Sequence, residues 1–270
     1  MKLEILLSCM YQKDFSIVEK SCITSDVLII NQSDTDMREE LDKNGQSIRM
    51  ITTVERGLSR SRNMAMKNAR GSICLFCDND EQFFCNYEQI VLDAFQRLQD
   101  ADIILFDFEN LPHTFQDKEY RLRFMDLFHA ISCQIAYRRS SLESTMVSFH
   151  PFMGAGTGNG AQEENKFLID CYKRGMKIYY VPTQIGCVME NESTWFNGYS
   201  EAFFYQRGGS TRQMLGLPLS FLYAIYYVVC KRNMYSHAIS PGKAFAATIK
   251  GCFEDPIGKQ MKRSGKHGRR

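Results

Sequence analysis

The chain has 270 residues, 44% apolar and 24% charged, which suits one large folded domain with or without an appendage and excludes a disordered or low-complexity chain. A formal net charge of +2 selects no partner, and the basic residues are not interleaved with aromatics on one predictable surface, so no nucleic-acid partner is expected. Ten cysteines would form a disulfide framework in a small secreted domain; in a chain of this size, expected to start without a signal peptide, Cys9, Cys74, Cys133 and Cys171 read as small buried hydrophobes in a reducing compartment.

Short apolar runs come first. Leu3 to Leu7 (LEILL), Val27 to Ile30 (VLII), Arg49 to Thr53 (RMITT), Ile73 to Phe76 and Asp102 to Phe106 (DIILF) read as strands. Ser59 to Ala69 and Tyr87 to Leu98 read as helices, the second with Ile90, Val91, Ala94, Phe95 and Leu98 on one stripe. Runs without alternation, separated by amphipathic helices, predict a parallel sheet covered on both faces. In such sheets ligands sit beyond the carboxyl ends of the strands. Ser8, Asn31 to Asp34 and Asp78 to Glu81 each follow a run and are expected to meet in one crevice. Asp78, Asp80 and Glu81 put three carboxylates in four residues at the end of an apolar strand, a candidate metal site. Cys74 and Cys77 form a CxxC, but within a strand they point to opposite faces, so neither a zinc site nor a redox pair is expected.

Further along, Arg121 to Cys133 reads as helical and Gln134 to Tyr137 as a strand. His150 to Phe167 (HPFMGAGTGNGAQEENKF) contains Gly154, Gly156, Gly158 and Gly160, expected to form a flexible loop that lets an acceptor approach or closes as a lid. Glu163 and Glu164 open a helical pattern that runs from Asn165 to Arg174 and stops at Gly175. Lys177 to Val181 is a strand closed by Pro182. Met214 to Cys230 is seventeen uncharged residues with Pro218 inside, short for a membrane span; a helix lying at a membrane surface and an ordinary core helix both fit. Lys231 and Arg232 follow it, and Lys259 to Arg270 reads as a mobile basic tail that either touches anionic lipid or keeps the chain soluble.

Four of these pieces, in this order and at this spacing, resemble a family 2 glycosyltransferase of the GT-A type. The strand ending in SCMYQ resembles the first nucleotide-contacting turn, Gly57 to Asn63 (GLSRSRN) the G-x-S-x-x-R-N helix start, and Asp78-Asn79-Asp80 the D-x-D signature. Glu163 and Glu164, shortly before Phe167, resemble the acidic pair that carries the catalytic base, and Ser193 to Trp195 (STW) is similar to text in bacterial polysaccharide enzymes. The resemblance runs from residue 1 to about 200. It implies an α/β GT-A fold with a mostly parallel central sheet flanked by helices and a C-terminal helical extension. The expected divisions are 1–205 for the glycosyltransferase domain, 206–256 for a helical, membrane-associated extension and 257–270 for a basic flexible tail.

The resemblance also implies a reaction: inverting, metal-assisted transfer of a sugar from a UDP- or GDP-sugar to a glycan or lipid-linked acceptor, with Mn²⁺ or Mg²⁺ held by Asp80 and Asp78. Ser8, Asp34, Arg62 and Asn63 would serve the donor, Asp34 towards the base and Arg62 towards phosphate or the aspartates. Glu164 would be the general base; the family usually has Glu-Asp here, which keeps Glu163 in play. Trp195 would stack on the acceptor or anchor the core. The expected place is the cytoplasm, at the inner face of the membrane. One departure stands out: relatives carry a histidine after the last core strand, and VPTQIGCVMENESTWF has none, leaving Cys187, Glu190 or water to complete the metal shell. A nucleotidyltransferase would want a glycine-rich basic loop after the first strand, which SCMYQKD does not supply. An inactive glycosyltransferase-like binding or assembly protein is the other alternative.

Overall fold

The computed structural model describes residues 1–159, 162–189 and 198–267, the last three of these by backbone alone. The chain forms two compact units, Met1–Phe149 with Phe167–Asn191, and His150–Lys166 with Glu192–Arg270. They interleave along the chain, whereas the sequence reading divides it into the consecutive stretches 1–205, 206–256 and 257–270.

The first unit is built on a mixed sheet. Its strands are β1 (Leu3–Met10), β2 (Asp26–Gln32), β3 (Met37–Lys43), β4 (Gln46–Thr53), β5 (Ile73–Asp78), β6 (Glu81–Phe83), β7 (Ile103–Glu109), β8 (Tyr120–Arg121), β9 (Ile135–Arg138) and β10 (Ile178–Val188). Their order is β3-β4-β2-β1-β5-β9-β7-β10-β6, with β8 on β10. β4, β2, β1 and β5 are mutually parallel, whereas β3, β9 and β6 run antiparallel to their neighbours. The runs lack alternation because both faces are covered: Leu3, Ile5, Leu6 and Leu7 are all buried. The helices are α1 (Ser16–Lys20), α2 (Leu58–Asn68), α3 (Tyr87–Arg97), α4 (Arg139–Thr145) and α5 (Glu163–Lys173), the first turn of α5 belonging to the second unit. Val91, Ala94 and Phe95 of α3 join Ile5, Leu7 and Ile29 in one core, as the stripe predicts. Cys9, Cys74, Cys77, Cys133 and Cys171 are buried free thiols.

Several segments differ from expectation. Met37–Lys43 is a strand although all seven residues are exposed; it pairs antiparallel with β4 across an Asn44-Gly45 turn in which both residues have positive φ (55° and 85°). As a charged edge strand it carries little apolar signal. Arg121–Cys133 is not one helix but the end of β8 and short 3₁₀ turns at Asp126–His129 and Ser132–Gln134. Pro182 does not close the last strand: β10 continues to Val188, its register against β7 slipping between Val181 and Gln184 and again before Cys187, so the proline sits where ladder pairing is already interrupted.

The second unit is helical: α6 (Glu201–Cys230), α7 (Arg232–Tyr235), α8 (Pro241–Glu254) and α9 (Pro256–His267). α6 and α8 pack backbone to backbone. A Cβ at Gly251 would lie 1.9 Å from the carbonyl oxygen of Tyr205, and one at Gly208 would lie 2.1 Å from that of Thr248. Arg207 is held between aromatic faces, 4.2 Å from the Tyr227 centroid and 5.2 Å from that of Phe203, and donates to the Tyr223 hydroxyl at 2.9 Å. The basic segment from Lys259 is helical as far as His267 rather than a loose tail. Pro256 suits a first helical position, and the Asp255 side chain accepts from the Gly258 N–H at 3.1 Å.

Candidate active site

β1, β2 and β5 are adjacent parallel strands, and their carboxyl ends bring the candidate residues together. Ser8 lies in register with Asp78 on β5 and with Ile30 on β2, one residue before Asn31. This is the strand-end position at which α/β sheets take ligands.

The Asn31 side chain fastens the chain leaving β1. Its Nδ2 donates to the Gln12 carbonyl at 2.9 Å, and its Oδ1 accepts from the Gln12 N–H at 2.9 Å. The Ser8 hydroxyl is buried and lies 2.8 Å from that of Ser61 on α2. Gly57, with φ of 113°, starts α2, and its N–H donates to Gln32 Oε1 at 2.7 Å. The motif GLSRSRN is thereby tied to the ends of β1 and β2. Asp34 is further out: its carboxylate is 80% exposed and accepts from Arg56 at 2.7 Å. Arg56 also lies over the Tyr11 ring, 5.7 Å from its centroid, and donates to the Ser33 carbonyl at 2.6 Å.

Arg62 is 1% exposed and faces inward. Its Nη2 donates to both oxygens of Asp78, at 3.1 and 2.9 Å, and its guanidinium lies 5.5 Å from the Phe149 centroid. Among the aspartates the sequence offers it, Asp78 is the one it meets. Asn63, next to it, grips Phe149 from both sides: Nδ2 donates to the Phe149 carbonyl and Oδ1 accepts from its N–H, both at 2.8 Å. Phe149 stacks on Phe167 at 4.3 Å, and Phe76 of β5 meets Phe149 edge-on at 5.2 Å. Ser132, which the sequence reading does not pick out, donates to Asp78 Oδ2 at 3.2 Å. The Asp78 carboxylate is thus held by a cation and a hydroxyl in a fixed orientation.

Asp80 is anchored through its backbone, its carbonyl accepting from the Met189 N–H at 2.8 Å where β10 passes β6. Burial first, and the charge of Asp78 second, push its carboxyl above the usual carboxylate range. Glu81 is only 3% exposed, and its Oε2 has no hydrogen-bond partner among the described residues. Burial and then Asp78 hold its carboxyl well above the usual range. Asp78 and Asp80 are half-buried, while Glu81 is enclosed. No group of three or more His, Cys, Asp or Glu suited to a metal occurs among the described residues. Two carboxylates nevertheless fit Mg²⁺ or Mn²⁺, because such ions are usually held by one or two carboxylates plus substrate phosphates. Cys187 lies opposite Gln82 in the β10–β6 ladder, and Glu190 and Trp195 lie outside the described residues.

Glu163 and Glu164 belong to the second unit, at the first turn of α5. Glu163 is 5% exposed and Glu164 is half-buried. Phe152–Asn159 forms a hydrogen-bonded turn, while Gly160 lies outside the described residues: Gly154 bridges Asn159, Thr157 Oγ1 donates to the Gly154 carbonyl at 2.6 Å, and Asn159 Nδ2 donates to the Phe152 carbonyl at 3.0 Å. Gly154 has φ of 87°, and a Cβ there would lie 2.8 Å from the Glu163 carboxyl carbon. The glycine is what lets that carboxyl sit against the turn.

Residues 16–146 match the family model described as glycosyl transferase family 2. No curated protein matches the chain by sequence. Among solved structures, S. aureus TarS 1-349 aligns with a TM-score of 0.62 and 14% identity, over 92% of this chain and 81% of that one. The same protein in complex with UDP-GlcNAc aligns with a TM-score of 0.63 and 14% identity, over 89% and 76%. A mannosyltransferase from Pyrobaculum calidifontis, in complex with GDP-Man and Mn²⁺, aligns with a TM-score of 0.51 and 10% identity, over 100% and 81%. These are likenesses of fold.

Proposed function

We propose, from the match of residues 16–146 to the glycosyl transferase family 2 model, that the chain transfers a sugar, with inversion, from a nucleoside diphosphate sugar to a glycan or lipid-linked acceptor. The observation that carries the reading is the Asp78–Asp80 pair at the carboxyl end of β5, with Asp78 locked by Arg62 and Ser132. The solved relatives carry UDP-GlcNAc in one case and GDP-Man with Mn²⁺ in another, which supports a UDP- or GDP-linked donor here.

Each residue then has a task. Asn31 fixes the turn at Gln12 against which a nucleotide would lie, and Asp34 is exposed enough to meet a base. Arg62 acts through Asp78, whose carboxylate it orients, rather than on phosphate directly, because it is itself enclosed. Asp80, with Asp78 beside it, would hold Mg²⁺ or Mn²⁺; when bound, that ion neutralises charge gathering on the pyrophosphate leaving group. Glu164, the more accessible of the acidic pair, takes the proton of the attacking acceptor hydroxyl, and Glu163 is the alternative. We place the reaction in the cytoplasm, where nucleotide sugars are made.

A donor panel tests this. Release of nucleoside diphosphate from several nucleotide sugars is measured with Mn²⁺ and with chelator. Release from one donor, lost in chelator, is expected. No transfer or hydrolysis of any donor, together with no binding of UDP or GDP, overturns the reading; binding without transfer identifies a glycosyltransferase-like binding protein instead. Glu164→Gln is expected to keep donor binding and lose transfer, by about a hundredfold or more. Loss of donor binding would move the base elsewhere.

A further inference from the structure

The second unit has an unusual surface. In α6 the backbone leaves the helix at Gly216 (φ 74°, ψ 171°). From there to Cys230 every exposed position is uncharged, and the large ones are apolar: Leu219, Leu222, Ile225, Tyr226 and Val229, with Leu222 63% and Val229 67% exposed. The inward face carries Ser220 and Ala224, both fully buried, and Tyr227 and Val228, which join the core of the unit. A helix packed on a protein and bathed in water turns polar residues outward; here the large outward residues are apolar. Phe253 of α8, 58% exposed, extends the patch through its edge contact with Phe221 at 5.1 Å.

The sequence that contains this patch carries charge of mainly one sign. Residues 206–270 hold twelve Lys or Arg and two acids, Glu254 and Asp255, so this stretch carries +10 and the rest of the chain −8. Both acids are engaged within the unit, Glu254 by the Tyr205 hydroxyl at 2.9 Å and Asp255 by Gln213 at 2.6 Å and Arg212 at 3.5 Å. Lys231 and Arg232 close the apolar face, and Lys259, Lys262 and Arg263 are exposed on α9.

By length and composition α6 could cross a membrane. The break at Gly216 leaves only Leu217–Cys230, a rod of about 21 Å, against a hydrocarbon core of about 30 Å. An apolar face rimmed by cations suits the interfacial layer instead. A second copy is the wrong occupant, because it would bring a second +10 to the same contact. We propose that the face from Leu219 to Val229, flanked by Lys231 and Arg232, docks in the interfacial layer of an anionic lipid membrane. This stands apart from the transfer reaction and is tested without it.

The test is co-flotation of the purified chain with vesicles of phosphatidylcholine alone and of equal parts phosphatidylcholine and phosphatidylglycerol. Binding to the mixed vesicles only, weakened by salt, is expected. Lys231→Ala with Arg232→Ala should lower partitioning roughly thirtyfold, and Leu222→Glu with Val229→Glu should abolish it. Unchanged far-UV circular dichroism and an unchanged thermal unfolding midpoint confirm that the variants fold. Failure to bind either vesicle overturns the proposal, as does equal binding to both. So does a dimer in light scattering that Leu222→Glu dissociates, since the occupant would then be a second copy.

Discussion

At the scale of the residue, the site is governed by how each acid in Asp78-Asn79-Asp80-Glu81 is compensated. Asp78 has Arg62 and Ser132, and Arg62 is the more buried partner. Truncating one member of such a pair strands the other. Arg62→Ala should therefore lower stability by about 3 kcal/mol, measured by chemical denaturation; a loss below about 1 kcal/mol would mean the pair behaves as an exposed one. Glu81 is the opposite case. Its carboxyl is raised by burial, so the fold favours the neutral form. The stability this contributes is fully present below the unfolded carboxylate value, about 4.3, and is lost as pH rises through the raised folded value. Glu81→Gln should thus raise Tm more at about pH 8 than at about pH 5, in chelator. An equal gain at both would show that Glu81 ionises normally. The acidic cluster was legible in the sequence because it ends an apolar run. Its ranking was not, since Ser132 reaches Asp78 across 54 residues through 3₁₀ turns that have no periodic signature.

At the scale of the element, buried strands announced themselves and the edges did not. β1, β2, β4, β5 and β7 are apolar because neighbours cover both faces. β3 is exposed throughout, so only the Asn44-Gly45 turn marks it. β10 runs through Pro182 because two register slips already break its ladder there, an arrangement a local reading cannot foresee. In the second unit the decisive residues are small ones. Gly208 and Gly251 allow α6 and α8 to touch through their backbones. Gly251→Ala should prise them apart at a cost of about 3 kcal/mol. Limited proteolysis is then expected to cut within residues 206–267 while the sheet survives. Uniform digestion of the whole chain would show that the two units unfold together.

At the scale of the whole molecule, the resemblance in the sequence covered the part with motifs and was silent on the helical part. The reason is physical. A donor site needs particular side chains at particular offsets, whereas packed helices with an exposed apolar face need only composition. The charge division, −8 before residue 206 and +10 from there on, vanishes in the overall sum of +2.

The interleaving of the two units also sets an order of events during synthesis. The segment His150–Lys166, which carries both Glu163 and Glu164, packs with the late part of the chain: Phe152 and Met153 share a small core with Ile257, and Asn159 bonds Gln260. The ribosome delivers that partner some hundred residues later, on the order of 5 to 20 seconds at ordinary rates of elongation. The sheet with its aspartates can form early, but the turn beside the acidic pair must wait. Cutting the chain after α6 would leave Phe152 and Met153 without Ile257, so the helical unit cannot be removed as a detachable module. A graft of this site onto another scaffold would have to carry both stretches.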